Sequence, residues 1–337
     1  MLSRRAFPKT TLSRSINVSS APRRAFSRPC TCGLSTAGEL CDGRSHNRVL
    51  TTSPSYLRDS AARLSAANIE SSCFDLIGPG ASESEASDFS IKRAPKTLRE
   101  ALVFSAALSA AQAARGWARV GYKVGGKSPT QFFGALCSRD IIRLGAGTTF
   151  PAGAEAAIGS QGFIVRGVEI EIVAELRAPL PPRETPYSPT DAASSVGRWL
   201  PGIELCGTRL RPPPDREVPR YLRIADGASH GSLLVLDDAS INITDWESET
   251  SPAEAVLSAD GSIISRGGGG QLVGGCPSAA LSWLANELNA LGLPGLCAGD
   301  LVTLGTMTGL TPVAPGARVE ARWGESAYLK FTMPKGL

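Results

Sequence analysis

Histidine is almost absent from this chain: 2 in 337 residues, His46 and His230. A His-rich catalytic zinc site is therefore excluded. Gly227–Gly231 (GASHG) matches the nucleophile-elbow pattern around Ser229. A serine triad needs a separate histidine base, however, and neither His230, the immediate neighbour of Ser229, nor His46 near the N-terminus supplies one. No run of 18 apolar residues occurs, which excludes a membrane-spanning helix. The 8 cysteines lack CxxC pairing: Cys30, Cys32 and Cys41 lie in the first 66 residues, Cys73 follows, and Cys137, Cys206, Cys276 and Cys297 are widely spaced. Structural zinc is not expected, and buried free thiols are. Aromatics at 6% and a mildly acidic body leave no nucleic-acid footprint.

What is present is unevenly distributed. Of 35 basic and 31 acidic residues, 11 and 3 fall within residues 1–66, leaving 24 and 28 for the remainder. Met1 to Gly38 holds no acidic residue, while Arg4, Arg5, Lys9, Arg14, Arg23, Arg24 and Arg28 recur among Ser and Thr. That is the composition of an organelle transit peptide, with a mitochondrial-type processing signal in Arg24-Ala25-Phe26-Ser27. The mitochondrial matrix is the expected destination, with a plastid as the alternative. Residues 67–95, with GPGASESEASD at their centre and Pro95 at their end, read as a linker.

The body opens with Thr97-Leu98-Arg99-Glu100, a capping-box pattern before an alanine-rich apolar run, predicting a helix that ends near Gly116. A second helix is expected at about 278–292, stopped by Gly292. Between them the chain is strand-like and loop-rich: GYKVGG, VEIEIVAEL, SLLVLDD, DLVTLGTM and RVEARW. With 36 Gly and 24 Pro and no βαβ alternation, the expected class is a β-rich α+β domain.

Gly121–Ser128 (GYKVGGKS) matches a P-loop, and LLVLDD resembles its acidic partner strand. A P-loop needs a helix starting at the Lys-Ser pair, whereas Pro129 and a short FFGALC follow here, so nucleotide binding through Lys127 is only a distant alternative. Val168-Glu169-Ile170-Glu171-Ile172 alternates with period two, setting Glu169 and Glu171 on one strand face and the aliphatics on the other. A solvated strand face would explain the pair taken alone. Glu204, however, lies in the apolar LPGIELC run, where a carboxylate must be exposed, protonated or ligated. Three carboxylates without histidine suit a hard ion such as Mg²⁺ or Mn²⁺. Glu175 continues the face near the strand's end, in a position fit for the surface.

These segments, together with LPGIELCGTRL, ADGASHG, GCPSAALSWLANEL and the closing AGDLVTLGTMTGLTPVAPGARVEARW, resemble the 2-keto-4-pentenoate hydratase group of the fumarylacetoacetase C-terminal-like superfamily over about residues 97–331. The resemblance implies a mixed β-roll or barrel with flanking helices as the catalytic domain, residues 96–333, and a homo-oligomer. It implies metal ligands at Glu169, Glu171 and Glu204, catalytic roles for Lys123 and Asp226, and substrate contacts from Ser229 and Arg209. The implied activity is metal-dependent hydration of 2-hydroxy-2,4-dienoate or 2-oxo acid substrates; related decarboxylation or acylpyruvate C–C hydrolysis is the alternative, and a catalytically silent scaffold a further one. Departures from the family pattern are a shorter segment after Ser128-Pro129, Phe132 at a usually acidic position, Cys276 where histidine is common, and Gly227 in place of asparagine. They bear on the lid and on substrate choice rather than on the metal ligands.

Overall fold

The computed structural model describes residues 74–75, 94–145, 164–211, 218–248 and 250–334. The basic leader, residues 1–66, and most of the expected linker lie outside them. Thirteen strands are present among the described residues: β1 (Phe74–Asp75), β2 (Arg119–Gly125), β3 (Phe132–Cys137), β4 (Ile141–Leu144), β5 (Ile164–Leu176), β6 (Val196–Thr208), β7 (Leu210–Arg211), β8 (His230–Leu236), β9 (Ala255–Ala259), β10 (Ser262–Gly267), β11 (Leu301–Thr306), β12 (Arg318–Trp323) and β13 (Ala327–Thr332). Four α-helices accompany them: α1 (Leu98–Ala113), α2 (Pro189–Ser194), α3 (Arg220–Ala225) and α4 (Pro277–Ala290).

The strands form a seven-stranded mixed sheet in the order β3-β2-β11-β5-β6-β8-β4, a four-stranded antiparallel sheet β10-β9-β12-β13, and the parallel pair β1-β7. This is the expected α+β class. Helix α1 begins where Thr97 accepts a hydrogen bond from the Glu100 amide at 3.2 Å. The Glu100 carboxylate reaches back past the cap to the Lys96 amide at 2.7 Å, one residue beyond a closed capping box. Past its end, Gly116 takes the left-handed conformation (φ 86°) that favours glycine. Helix α4 starts one residue before the expected position, with Pro277 in its first turn, and Gly292 (φ 67°) follows its end.

The large sheet is buried on both faces. Val168, Ile170, Ile172 and Ala174 of β5 enter the main core, where burial of each Val or Ile side chain contributes roughly 1.5–3 kcal/mol. On the opposite face, Val173, Leu200, Leu233, Val235, Leu136 and Leu301 from five strands pack into a second, smaller cluster. Glu169 and Glu171 share this second face with Val173 by strand alternation. The small cluster is therefore an apolar floor beside the carboxylates.

The P-loop reading is corrected by the topology. After Lys127-Ser128 the chain turns into β3, an antiparallel neighbour of β2, and no helix N-terminus forms there. The strand carrying LLVLDD, β8, stands four places from β2 in the sheet. Lys127 instead donates to the Gln271 side chain.

Candidate metal and substrate centre

Strands β5 and β6 are antiparallel, and their register sets Glu169 directly opposite Glu204 and Glu171 opposite Gly202. Residues facing each other across an antiparallel pair project to the same side. All three carboxylates thus share one concave face, although Glu204 is separated from the pair by more than thirty residues. At 9%, 0% and 0% exposure for Glu169, Glu171 and Glu204, a solvated strand face is excluded.

Lys123 reaches the same point from β2. Three strand spacings of about 4.8 Å separate β2 from β6 along the sheet, yet Lys123 Nζ lies 2.6 Å from Glu204 Oε2. The sheet must curl to permit this, and the curl makes the interior. The other Glu204 oxygen, Oε1, lies 2.7 Å from His230 Nδ1. Glu171 Oε2 accepts from the Gly305 amide at 3.1 Å, while its Oε1 is buried without a hydrogen-bond partner. Cys206 Sγ donates to Glu169 Oε2 at 3.2 Å. The Trp323 indole, donating to the Glu171 carbonyl at 2.8 Å, ties the four-stranded sheet to this part of β5.

The electrostatics follow from burial and crowding. Burial pushes the Glu169 carboxyl up to about 7, with Lys123 opposing and Glu204 reinforcing the rise. Burial, and then the Glu204 charge, holds Glu171 well above the ordinary range. For Glu204 burial is outweighed by Lys123 and His230, which keep it ionised well below the ordinary range. Burial would lower Lys123, but Glu204, Cys206, Glu169 and Glu171 outweigh it, and the ammonium keeps its proton. A dry site thus holds three carboxylates against one ammonium. Glu169 and Glu171 hold their protons more tightly than ordinary carboxyls, so added positive charge would favour their ionised forms, and Glu171 Oε1 is buried without a hydrogen-bond partner. The donor set fits a divalent, oxygen-preferring cation.

The remaining expected residues form a separate cluster. Asp226 is fully buried: Oδ2 accepts from Thr208 Oγ1 at 2.9 Å and the Arg209 amide at 2.7 Å, and Oδ1 from Arg209 Nη1 at 2.9 Å. Arg209 and His230 line one small cavity with Asp140 and Gly227. Ser229 closes a tight turn in which Ala228 and Ser229 both have positive φ, 62° and 63°. For residues with a side chain such backbone costs on the order of 1–3 kcal/mol each, so the surroundings must enforce it. Close approach of β3 does so: a Cβ on Gly134 would meet Ala228 Cβ at 2.8 Å. Glu175, on the same β5 face, joins Arg143, Arg198 and Asp237 in a partly exposed ion-pair network.

Two residues at the centre escaped the sequence reading. Cys206 lies two positions after Glu204 on one strand, so period two alone sets both on the same face. His230 was set aside as the neighbour of Ser229; it opens β8, pairs with Cys206 across the ladder and turns to Glu204. A larger groove of about 850 Å³, lined by residues such as Arg318, Arg322 and Lys330 on the four-stranded sheet, shares no residue with the carboxylates.

The chain is 27% identical over 209 residues to the 2-hydroxyhexa-2,4-dienoate hydratase of Comamonas testosteroni, covering 60% of this chain and 73% of that protein. It is 31% identical over 140 residues to the 2-keto-4-pentenoate hydratase of Paraburkholderia phymatum, covering 42% of this chain and 50% of that one. In solved structures its fold matches 4-oxalocrotonate decarboxylase from Pseudomonas putida G7, complexed with magnesium and adipate. There the TM-score is 0.62 at 19% identity, over 82% of this chain and 97% of the decarboxylase. The chain is thus similar in sequence to two dienoate hydratases and shares the fold of the decarboxylase. No family model matches the chain. Within the mixed sheet, Lys123, Glu169, Glu171 and Glu204 form one buried constellation, while Asp226 and Arg209 form a separate buried ion pair. No helix among the described residues is long and apolar enough to cross a membrane.

Proposed function

We propose that this chain is a metal-dependent hydratase acting on small 2-hydroxy-2,4-dienoates, the enol forms of unsaturated 2-oxo acids. The observation that carries the reading is the convergence of three buried carboxylates and one buried ammonium from three strands. Both hydratase relatives support the substrate class. Glu169, Glu171 and Glu204 would hold the cation. When bound, a divalent ion supplies Lewis acidity toward the carboxylate and 2-oxo oxygens of such a substrate, stabilising negative charge that builds on the enolate.

The chain's own residues do the rest. Lys123 holds its proton at Nζ in a water-poor interior, where the ammonium orients an anionic substrate. Glu204, bonded through both oxygens, fixes that ammonium in place. Asp226 orients Arg209 through three hydrogen bonds, and the arginine lines a small cavity together with His230. The floor of Val173, Leu200 and Leu233 excludes water from one side of the carboxylates and suits the alkene end of a short dienoate.

The test is a chelated and metal-restored protein given a panel of dienols, oxaloacetate-type acids and acylpyruvates, with loss of enol absorbance as the signal and products separated by chromatography. Water addition to a dienol, dependent on Mg²⁺ or Mn²⁺ and abolished by Glu169→Gln or Glu204→Gln, is the expected result. Turnover of a decarboxylation or C–C cleavage substrate alone moves the chain to that branch of the superfamily. Full activity of the Glu204→Gln protein after chelation overturns the metal reading.

A further inference from the structure

Cys206 plays no part in the hydratase reading, yet its sulfur shares the carboxylate interior. Its Sγ, a Glu169 oxygen and a Glu204 oxygen all lie within 4.8 Å of one another. Donor atoms around a tetrahedral ion with bonds of about 2.0–2.3 Å stand about 3.3–3.8 Å apart, so modest side-chain rotation closes the set. The thiol is 2% exposed and its donated bond goes to Glu169, itself one of the three donors. Two residues along β5 on the same face, Glu171 Oε1 is buried without a hydrogen-bond partner, a second polar atom there that a cation would satisfy.

The donor chemistry differs from that of the three carboxylates. Carboxylate oxygens suit hard ions, while a thiolate selects borderline and soft ones such as Zn²⁺, Co²⁺ or Cd²⁺. We propose that the centre holds a second, alternative ligand set, Glu169–Glu204–Cys206, which captures a thiophilic divalent cation at the expense of Mg²⁺ or Mn²⁺. Capture forms one metal–sulfur bond and breaks the S–H bond, with the proton leaving to solvent; no electron is transferred. The ion is then held by mixed oxygen and sulfur donors, and the enzyme is occupied by the wrong metal. Zinc at this centre is an inhibitor that competes with the working ion. The inference rests on the reading of Glu169 and Glu204 as metal ligands.

Co²⁺ titration of the full-length, chelated protein tests it without recourse to activity. The wild type should develop a thiolate-to-cobalt charge-transfer band in the near ultraviolet and release one more proton per ion than Cys206→Ser does. Cys206→Ser should lose the band yet still bind Mn²⁺, as read by electron paramagnetic resonance. Wild-type protein that binds Co²⁺ with ligand-field bands alone overturns the alternative set and leaves the carboxylate centre standing. A charge-transfer band that persists undiminished in Cys206→Ser assigns the sulfur to another cysteine and overturns it equally. Failure of the wild type to bind either Co²⁺ or Mn²⁺ overturns both readings. Because the first measurement is made on the unmutated protein, a folding defect in the variant cannot shelter the proposal.

Discussion

Replacing Lys123 with methionine removes the ammonium while keeping most of its volume. The lost partner sits 2.6 Å from Glu204 Oε2, with both side chains almost fully buried. At that distance and an effective dielectric of about 20, the attraction is about 6 kcal/mol. Glu204 escapes part of the loss by taking up a proton. Bringing a carboxyl of ordinary value 4.5 to its neutral form at pH 7 costs about 3 kcal/mol, at about 1.4 kcal/mol per pH unit. The deficit of metal-free Lys123→Met at pH 7 should therefore level off at about 3 kcal/mol, the low end for breaking a buried pair. It should shrink to about 1 kcal/mol at pH 5. In a Glu204→Gln background the same replacement should cost less than about 1 kcal/mol, since no buried charge is orphaned. Urea unfolding of the four proteins at the two pH values reads all of this. An equal deficit in both backgrounds, or one that does not fall on acidification, refutes the buried pair as the centre's organising contact.

The metal-free protein should lose stability as pH rises from about 4.5 to about 7, because folded Glu169 keeps its proton up to about 7 while the unfolded chain releases it near 4.5. Glu169→Gln should flatten that window in denaturant midpoints, and saturating Mn²⁺ should reverse the trend by stabilising the ionised form. Gly134→Ala sets a Cβ 2.8 Å from that of Ala228 and 2.9 Å from the Gly227 carbonyl oxygen, so a loss of about 1–3 kcal/mol is expected from overpacking, read by thermal melting. Lys127→Ala should leave turnover unchanged and Mg-ATP should not bind, as calorimetry would show. We propose that residues 1–66 direct import into mitochondria; a reporter fused to them should enter the matrix, and a cytosolic reporter ends that reading.

Local signals in the sequence translated well. The alternation at 168–172, the cap at Thr97 and the stop at Gly292 each depend on neighbours a few residues away, and each element formed as expected. Pairing partners depend on residues far apart and were not legible. That β5 meets β6, and in the register that faces Glu169 with Glu204, follows from the whole sheet. The likeness to a family joined those residues before any geometry did. Asp226 and Arg209 show the limit of that route: the motif sets them near the pocket, but only the structure shows Asp226 spending its oxygens on Thr208 and Arg209. Cys206 and His230 were missed for opposite reasons. The first was weighed only as a thiol, outside the strand period that aligns it with Glu204, and the second was judged by the residue beside it rather than the strand it starts.

The ladder between β5 and β6 is irregular at Val165/Gly167 and again at Glu175/Leu176, and regular from Val168 to Glu175. Those two irregularities work as expansion joints. Length changes in the connection at 177–195 or in the outer ends of the strands can be absorbed there without moving the acidic cluster out of register. Removing one residue between the joints would instead rotate every side chain beyond it to the opposite face, sending glutamates into the aliphatic core and isoleucines to the ion. Engineering of substrate range on this scaffold should therefore lengthen or shorten the chain outside 168–175 and only substitute within it.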